Sequence, residues 1–215
     1  MDEGKGEGMS DHEATVFNAI RSALAGLDNK TPLPEYDEAG FTASSRLAAG
    51  STWENFAANF RAVNGRPMET VPELIAFLTA GDHCHGYCDP VLREEIGADL
   101  EAAGLKVEYS YDRSRYNDYA FGVTRASGII GETGTVILND HDTSDRLAAL
   151  SPWVHVAVLK GSGGEHRTIS DALRALGDCS NVIWATGPSK TADVEGILIE
   201  GVHGPGEQIC LRVGG

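Results

Sequence analysis

The sequence has few basic residues, few cysteines and no long apolar run, and each shortage excludes a class of protein. Lys and Arg number 17 against 32 Asp and Glu, so the 215-residue chain carries a formal net charge of −15. A surface of that sign repels phosphate backbones and anionic lipid headgroups, so we expect neither nucleic-acid binding nor attachment to a membrane surface. No run approaches the roughly 18 apolar residues of a membrane-spanning helix. The first residues lack the basic and apolar parts of a signal peptide, which predicts a cytoplasmic protein.

The four cysteines are too scattered for an iron–sulfur cluster, which needs several thiolates close together. Only Cys84 and Cys88 are near each other; Cys179 and Cys210 are isolated. The segment 83–88 reads His-Cys-His-Gly-Tyr-Cys and so contains residue types that bind zinc. Alternate residues of a strand point to opposite faces, however, so these side chains would not converge. The favoured interpretation is a buried strand, and we predict no metal or other cofactor bound by this chain.

The spacing of apolar residues changes near residue 66 and divides the chain there. Apolar residues at helical spacing predict a helix over 11–25, and a capping-box pattern at Ser51 and Glu54 predicts a second helix that ends at Gly65. We therefore expect a disordered tail over 1–9, a helical arm over 10–65 and one domain over 66–215. In that domain helices and strands alternate, which predicts an α/β layered fold with a mostly parallel sheet. Ligands of such sheets bind at the carboxyl ends of strands, in the loops.

The first loop whose residues could carry out chemistry reads Gly-Glu-Thr-Gly-Thr at 131–135. Glu132 can act as a general base, a nucleophile or a hydrogen-bond acceptor, and Thr133 and Thr135 add hydroxyls. Gly134 permits close approach of the backbone to a ligand. A tight hairpin turn with a solvated glutamate explains the same residues equally well.

The second loop follows the apolar segment 182–185 and supplies Gly, Ser and Thr backbone with one cation. This composition indicates an anion cradle, although the spacing of a P-loop is absent. A capped strand-to-helix turn is the structural alternative. A third loop, 202–206, places a histidine beside a turn, where a lone histidine is more often structural. The ligand-binding candidates of these two loops are Gly187, Pro188, Ser189, Lys190, Thr191, Asp193, Glu195 and His203.

Together the loops resemble one known family. The segments are Glu-Thr-Gly-Thr at 132–135, Ser-Pro-Trp-Val-His-Val-Ala-Val at 151–158, Gly-Pro-Ser-Lys-Thr-Ala-Asp-Val-Glu at 187–195 and Gly-Val-His-Gly-Pro at 201–205. This order resembles the LUD-domain family, whose best-known members are the lactate-utilisation protein C group. Lys190 stands where the family pattern has arginine, which keeps the positive charge but loses the bidentate fork.

The resemblance implies a fold and a role. The fold would be three-layered and similar to ribose-5-phosphate isomerase, glucosamine-6-phosphate deaminase and the CoA transferases. The role would be that of a non-redox subunit in the oxidation of L-lactate to pyruvate, with iron–sulfur clusters in partner proteins and a small anionic ligand at the loops of this chain.

Two alternatives stay open at this point. One is a free-standing enzyme of the CoA-transferase or isomerase kind, in which Glu132 is the nucleophile or base and Lys190 holds the anion of the substrate. The other is a scaffold protein in which every motif is structural. Oligomeric state is also open, because residues 10–65 are long enough to form an exchanged arm or a partner surface.

Overall fold

The chain forms two compact units, Met1–Phe41 and Thr42–Gly215. The structure, a computed structural model, describes residues 11–26, 46–142, 145–177, 181–192 and 198–214. In the first unit it describes one helix, α1 (Asp11–Ala25), whose bounds match the predicted helix over 11–25. The predicted tail over 1–9 lies outside the described residues. The predicted boundary at residue 65 falls inside the second unit.

Three helices of the second unit begin at a side-chain cap, at Ser51, Thr70 and Thr168. The first, α2, starts with the predicted capping box: Glu54 N–H donates to the Ser51 hydroxyl, and the Ser51 N–H donates to the Glu54 carboxylate. The helices are α2 (Thr52–Ala62), α3 (Val71–Ala80), α4 (Ala98–Ala102), α5 (Leu147–Leu150) and α6 (Ile169–Leu176), with 3-10 turns at Pro90–Leu92 and Arg113–Asp118 and a π-helical turn at Arg93–Gly97.

The described strands of the second unit build three sheets. They are β1 (Arg66–Met68), β2 (His85–Cys88), β3 (Lys106–Glu108), β4 (Phe121–Arg125), β5 (Gly128–Ile130), β6 (Thr135–Asn139), β7 (Val154–Lys160), β8 (Glu165–His166), β9 (Val182–Ala185), β10 (Lys190–Ala192), β11 (Leu198–Glu200) and β12 (Glu207–Val213). The main sheet has the order β1-β12-β7-β4-β2-β3 and every pairing in it is parallel.

A second sheet has the order β8-β5-β6-β9, in which β6 pairs antiparallel with both β5 and β9. Strands β10 and β11 form a separate antiparallel ribbon. The α/β class with a mostly parallel central sheet, predicted from the alternation of helices and strands, is confirmed.

The main sheet is covered by apolar residues on both faces. On one face, side chains of α3 and of residues 92–100 pack against Val154, Val156 and Val158 of the central strand β7. On the other face, the aromatic residues of α2 and the apolar residues of β5 and β6 pack against Ala157 and Leu159. Burial of each large apolar side chain stabilises the fold by roughly 1.5–3 kcal/mol. The aromatic side chains of α2, Trp53, Phe56 and Phe60, are therefore part of the core.

Candidate functional site

A chain of threonine hydroxyls joins the first predicted loop to the second. The Oγ1 atoms of Thr133 and Thr135 lie 2.7 Å apart, and Thr135 Oγ1 lies 2.7 Å from Thr186 Oγ1. The register places Val136 opposite Ala185, so residues 135 and 186 follow at the same end of the β6–β9 pair. The two loops, 51 residues apart in the chain, therefore meet through side-chain hydrogen bonds.

The second loop also contacts the third. Ser189 N–H donates to Pro205 O at 2.9 Å, and Gly201 N–H donates to Ser189 O at 2.9 Å. At Gly204 a Cβ atom would lie 2.9 Å from Cβ of Ser189, so only glycine fits there without displacement. Segments of all three loops thus lie at one edge of the molecule.

That edge is the amino-terminal edge of the main sheet, and the expectation of carboxyl ends was wrong for these loops. Gly187 packs so closely on Val63 O that a Cβ atom would overlap it. Val63 and Pro205 precede β1 and β12, two neighbouring parallel strands. The second loop follows β9, which belongs to the antiparallel part of the second sheet. The rule for parallel sheets therefore does not govern where this loop lies.

A cavity of about 240 Å³ opens beside the second loop. Its wall is mostly apolar, and its polar side chains are few, as is typical of small-molecule sites. The second loop contributes Thr186, Gly187, Pro188 and Ser189, the loop before β12 contributes Pro205, and the main sheet contributes His155 and Gln208.

His155 and Gln208 are the buried polar pair of this cavity. His155 is 1% exposed, and its Nε2 lies 2.8 Å from Thr124 Oγ1. Its Nδ1 lies 2.8 Å from Nε2 and 3.0 Å from Oε1 of Gln208. Burial lowers the pKa of His155 to about 4, against a smaller raising effect of the hydrogen bond to Gln208. The imidazole is therefore neutral at pH 7 and carries one donor and one acceptor nitrogen.

Neither residue is among the predicted site residues. His155 occurs only inside the segment 151–158 that carries the family resemblance. The sequence signal for His155 is a polar residue within the apolar run Val-His-Val-Ala-Val, because a buried polar side chain needs a hydrogen-bond partner in the fold. Gln208, from another strand 53 residues away, gives no signal of its own.

Lys190 points to a carboxylate and a carbonyl. Its Nζ lies 3.3 Å from Glu200 Oε1 and donates to Val63 O at 3.2 Å. Hydrogen bonds from Asn64, and then from Lys190, lower the pKa of Glu200 against an opposing effect of desolvation. Lys190 and Thr191 begin the ribbon β10–β11 and are not in the wall of the 240 Å³ cavity. Asp193 and Glu195 lie outside the described residues.

Glu132 is buried rather than solvated, with 6% of its surface exposed. Its Oε2 accepts the N–H of Ile169 at 2.9 Å, in the first turn of α6. Thr168 and Asp171 form a capping box at the same helix end. The carboxylate thus satisfies a backbone donor of the helix and does not line the cavity. A catalytic role for Glu132 stays a prediction.

His203 lines a neighbouring cleft of about 530 Å³ along the same amino-terminal edge. Leu150 borders both this cleft and the smaller cavity. The third loop therefore contributes to both sites. Pro205 lines the smaller cavity, and His203 and Gly204 line the larger cleft.

The cysteine segment contributes β2, which lies on the β3 side of the main sheet, and its His85 stands at the amino-terminal edge. His85 Nε2 lies 3.0 Å from Glu108 Oε1, and Cys84 Sγ lies 3.3 Å from Asp82 Oδ1. Cys88 is buried, and desolvation raises its pKa to about 12, which keeps it a thiol. Within the described residues, no three His, Cys, Asp or Glu side chains are grouped so that they could hold a metal ion.

Each helix that the structure describes is too short or too polar to span a membrane.

Comparisons with known proteins identify relatives of this chain. It is 33% identical over 98 residues to "Lactate utilization protein C" of Deinococcus radiodurans, an alignment that covers 43% of this chain and 45% of that protein. It is 34% identical over 93 residues to the protein of the same name from Bacillus subtilis strain 168, covering 39% and 38%. The chain thus matches less than half of the length of these two relatives.

A solved structure shares the fold. The crystal structure of a DUF162 family protein from Deinococcus radiodurans, at 1.70 Å resolution, superposes with a TM-score of 0.57 and 18% sequence identity. The superposition covers 78% of this chain and 99% of the other. A model of the LUD domain matches residues 90–213, which is more than half of the sequence. The chain belongs to the LUD domain family.

Proposed function

We propose that this protein is a non-redox subunit of an L-lactate oxidation system and that its 240 Å³ cavity binds a small carboxylate such as L-lactate or pyruvate. The observation that carries the proposal is one cavity lined by residues 186–189 of the second loop, by Pro205 of the third loop and by the buried pair of His155 and Gln208. The names of the relatives support lactate as the substrate of the system.

A carboxylate ligand would meet hydrogen-bonding groups in the cavity rather than a fixed cation. Within the described part of the chain its wall contains no Lys or Arg. Ser189 and Gln208 supply polar atoms, and His155 can take up a proton. A carboxylate placed near His155 would stabilise the imidazolium and raise its pKa from about 4. The proton would then supply the positive charge that the wall lacks.

The redox chemistry of the system belongs, in this proposal, to partner proteins. The spacing of the cysteines supports this division, because they cannot bring several thiolates together along the sequence. Electrons from lactate would pass to iron–sulfur clusters of the partners. The free-standing enzyme is less well supported, because the Glu132 carboxylate is bonded to Ile169 N–H instead of facing the cavity.

Two measurements test the proposal. Calorimetric titration with L-lactate, in two buffers of different ionisation enthalpy, should reveal binding with proton uptake that weakens from pH 5 to pH 8. Gln208→Leu should weaken that binding by about tenfold, the value of one lost polar contact to a charged group. Glu73→Gln, on the exposed surface of α3, is the control and should bind as the wild type does.

The second measurement is co-purification from cells grown on L-lactate. The tagged chain should carry iron-containing partners, while the chain purified alone should contain no iron. If the wild type binds neither L-lactate nor pyruvate but still recovers those partners, the scaffold alternative is correct. If it recovers no iron-containing protein, the assignment to a lactate-oxidising assembly is wrong.

A further inference from the structure

The larger cleft, in which His203 lies, has an aromatic wall built from the amino ends of parallel strands. Ala120 precedes β4, Trp153 precedes β7, and both line the cleft. Tyr116, Tyr119 and His203 add three more rings. An aromatic residue at an exposed position needs an explanation when others surround it in one concave site.

Trp153 is fixed in place although it is 48% exposed. The six-membered ring of its indole packs against the backbone of Gly201 and Gly206, so closely that a Cβ atom at either position would overlap it. Trp153 O accepts the N–H of Glu207 at 3.0 Å, which ties the backbone to β12. The ring is therefore held by the two glycines while a large part of its surface faces the cleft. Such a ring contacts a ligand with little loss of side-chain entropy.

The second wall is also rigid. Tyr119 donates its hydroxyl to Glu108 Oε2 at 3.0 Å, and its ring stacks on Tyr111 with 4.8 Å between centroids. The hydroxyl of Tyr111 is in turn hydrogen-bonded to Ser151 Oγ. Tyr116, in contrast, is 49% exposed and supplies a further ring at the rim. The cleft thus combines a locked aromatic wall with an accessible stacking surface.

From this geometry we propose that the cleft binds a flat heteroaromatic ring, of the size of a flavin or a nucleotide base, stacked on Trp153. A volume of about 530 Å³ lies within the range of small-molecule sites. Asn117 and His203 provide donors and acceptors at the rim for the heteroatoms of such a ring. Stacking on a fixed aromatic side chain accepts any flat ring, and the polar edge then distinguishes among rings.

The ring would lie beside the carboxylate cavity. Leu150 borders both sites, and Gly204 of the cleft contacts Ser189 of the cavity. This inference does not rest on the proposed function, because it uses only the residues of the cleft.

The test uses uncharged probes, so that the net charge of the chain does not oppose binding. Riboflavin and adenosine are titrated separately into the full-length protein, with riboflavin fluorescence and calorimetry as readouts. We expect riboflavin or adenosine to bind the wild type, Trp153→Phe to retain affinity within about threefold, and Trp153→Leu to lose about tenfold, as expected for base stacking on an aromatic side chain. The result with each probe distinguishes a flavin site from a site for a nucleotide base.

Controls separate a local effect from a loss of fold. Leu173→Ala removes an exposed apolar side chain of α6, outside the wall of the cleft, and should leave probe binding unchanged. Tyr116→Ala removes a rim ring without touching the glycine-packed indole and should also weaken binding, so the test stands even if Trp153→Leu unfolds. The proposal would be overturned if neither probe binds the wild type. It would also be overturned if Tyr116→Ala and a folded Trp153→Leu both bind the probes with wild-type affinity. L-lactate titration of the same variants reports separately on the neighbouring cavity.

Discussion

His155 on β7 and Gln208 on β12 lie directly opposite each other in the parallel register, and their side chains form a hydrogen bond in the protein interior. Because the paired strands are parallel neighbours, the two side chains project from the same face of the sheet. Thr124 of β4 completes the set on the other side of the imidazole. Three adjacent strands therefore fix the orientation of one neutral histidine at the edge of the cavity.

The first prediction concerns acid stability. The pKa of His155 in the folded protein is about 4, below its ordinary value of 6.5, so the unfolded chain binds the proton more readily. The stabilising contribution is complete above pH 6.5 and is lost as the pH falls from 6.5 towards 4. We expect the free energy of unfolding to decrease by roughly 2–3 kcal/mol over this window. Urea unfolding at several pH values checks this.

The matched control is His155→Gln, which removes the titrating group and keeps a polar side chain. Its stability should change less between pH 6.5 and 4.5 than that of the wild type. The Glu108 carboxylate, whose pKa is lowered from 4.5 to about 2 because its hydrogen bonds outweigh desolvation, should respond only below pH 4.5. Equal slopes for wild type and His155→Gln would show that His155 is not the responsible group.

The second prediction concerns Gln208. Gln208→Leu leaves the Nδ1 atom of a buried imidazole without its amide partner, and such an unpaired polar group costs about 1–3 kcal/mol. We expect a lower melting temperature by calorimetry, with unchanged secondary structure by circular dichroism. Arg66→Gln, which breaks the exposed ion pair with Glu207, should cost no more than about 1 kcal/mol. A smaller effect for Gln208→Leu than for this control would contradict the buried pair.

The third prediction separates two roles of Glu132. Glu132→Ala removes the acceptor of the Ile169 N–H and should destabilise the protein by about 1 kcal/mol, the typical value of a helix cap. Glu132→Gln keeps an acceptor oxygen and should unfold at nearly the wild-type temperature. If the folded Glu132→Gln protein loses activity in the proposed lactate-oxidising assembly, the carboxylate acts chemically, whereas retained activity assigns it to the helix.

The sequence predicts the elements whose signals are local. Capping residues and periodic apolar residues locate α1, α2, α3 and α6, and an apolar run gives β9 with its observed bounds. Local signals do not reveal the central strand β4, because its sequence Phe-Gly-Val-Thr-Arg contains a glycine that weakens a strand pattern. Gly122 is explained only by tertiary structure: a Cβ atom there would overlap Ala148 O.

The candidate site divides in the same way. Loops rich in Gly, Ser and Thr could be recognised from composition, but the edge of the sheet at which they lie could not, because β9 belongs to the antiparallel part of the second sheet. The direction of each side chain could not, because it depends on long-range partners. Glu132 hydrogen-bonds to Ile169, 37 residues away in the sequence, and Lys190 hydrogen-bonds to Val63, 127 residues away. These hydrogen bonds orient both predicted side chains outside the cavity.

The fourth prediction concerns Lys190, the cation that sequence patterns favour as the anion ligand. Its ammonium is already engaged by Glu200 and Val63 O, so its transfer to a ligand would leave Glu200 paired only with Asn64. We therefore expect Lys190→Met to change L-lactate affinity by less than about threefold while lowering stability by at most about 1 kcal/mol. Lys190→Arg should retain the ion pair and behave as the wild type. Calorimetric titration and thermal unfolding of both variants measure the two effects separately. Loss of L-lactate binding in a folded Lys190→Met protein would show instead that the lysine leaves Glu200 when the anion arrives.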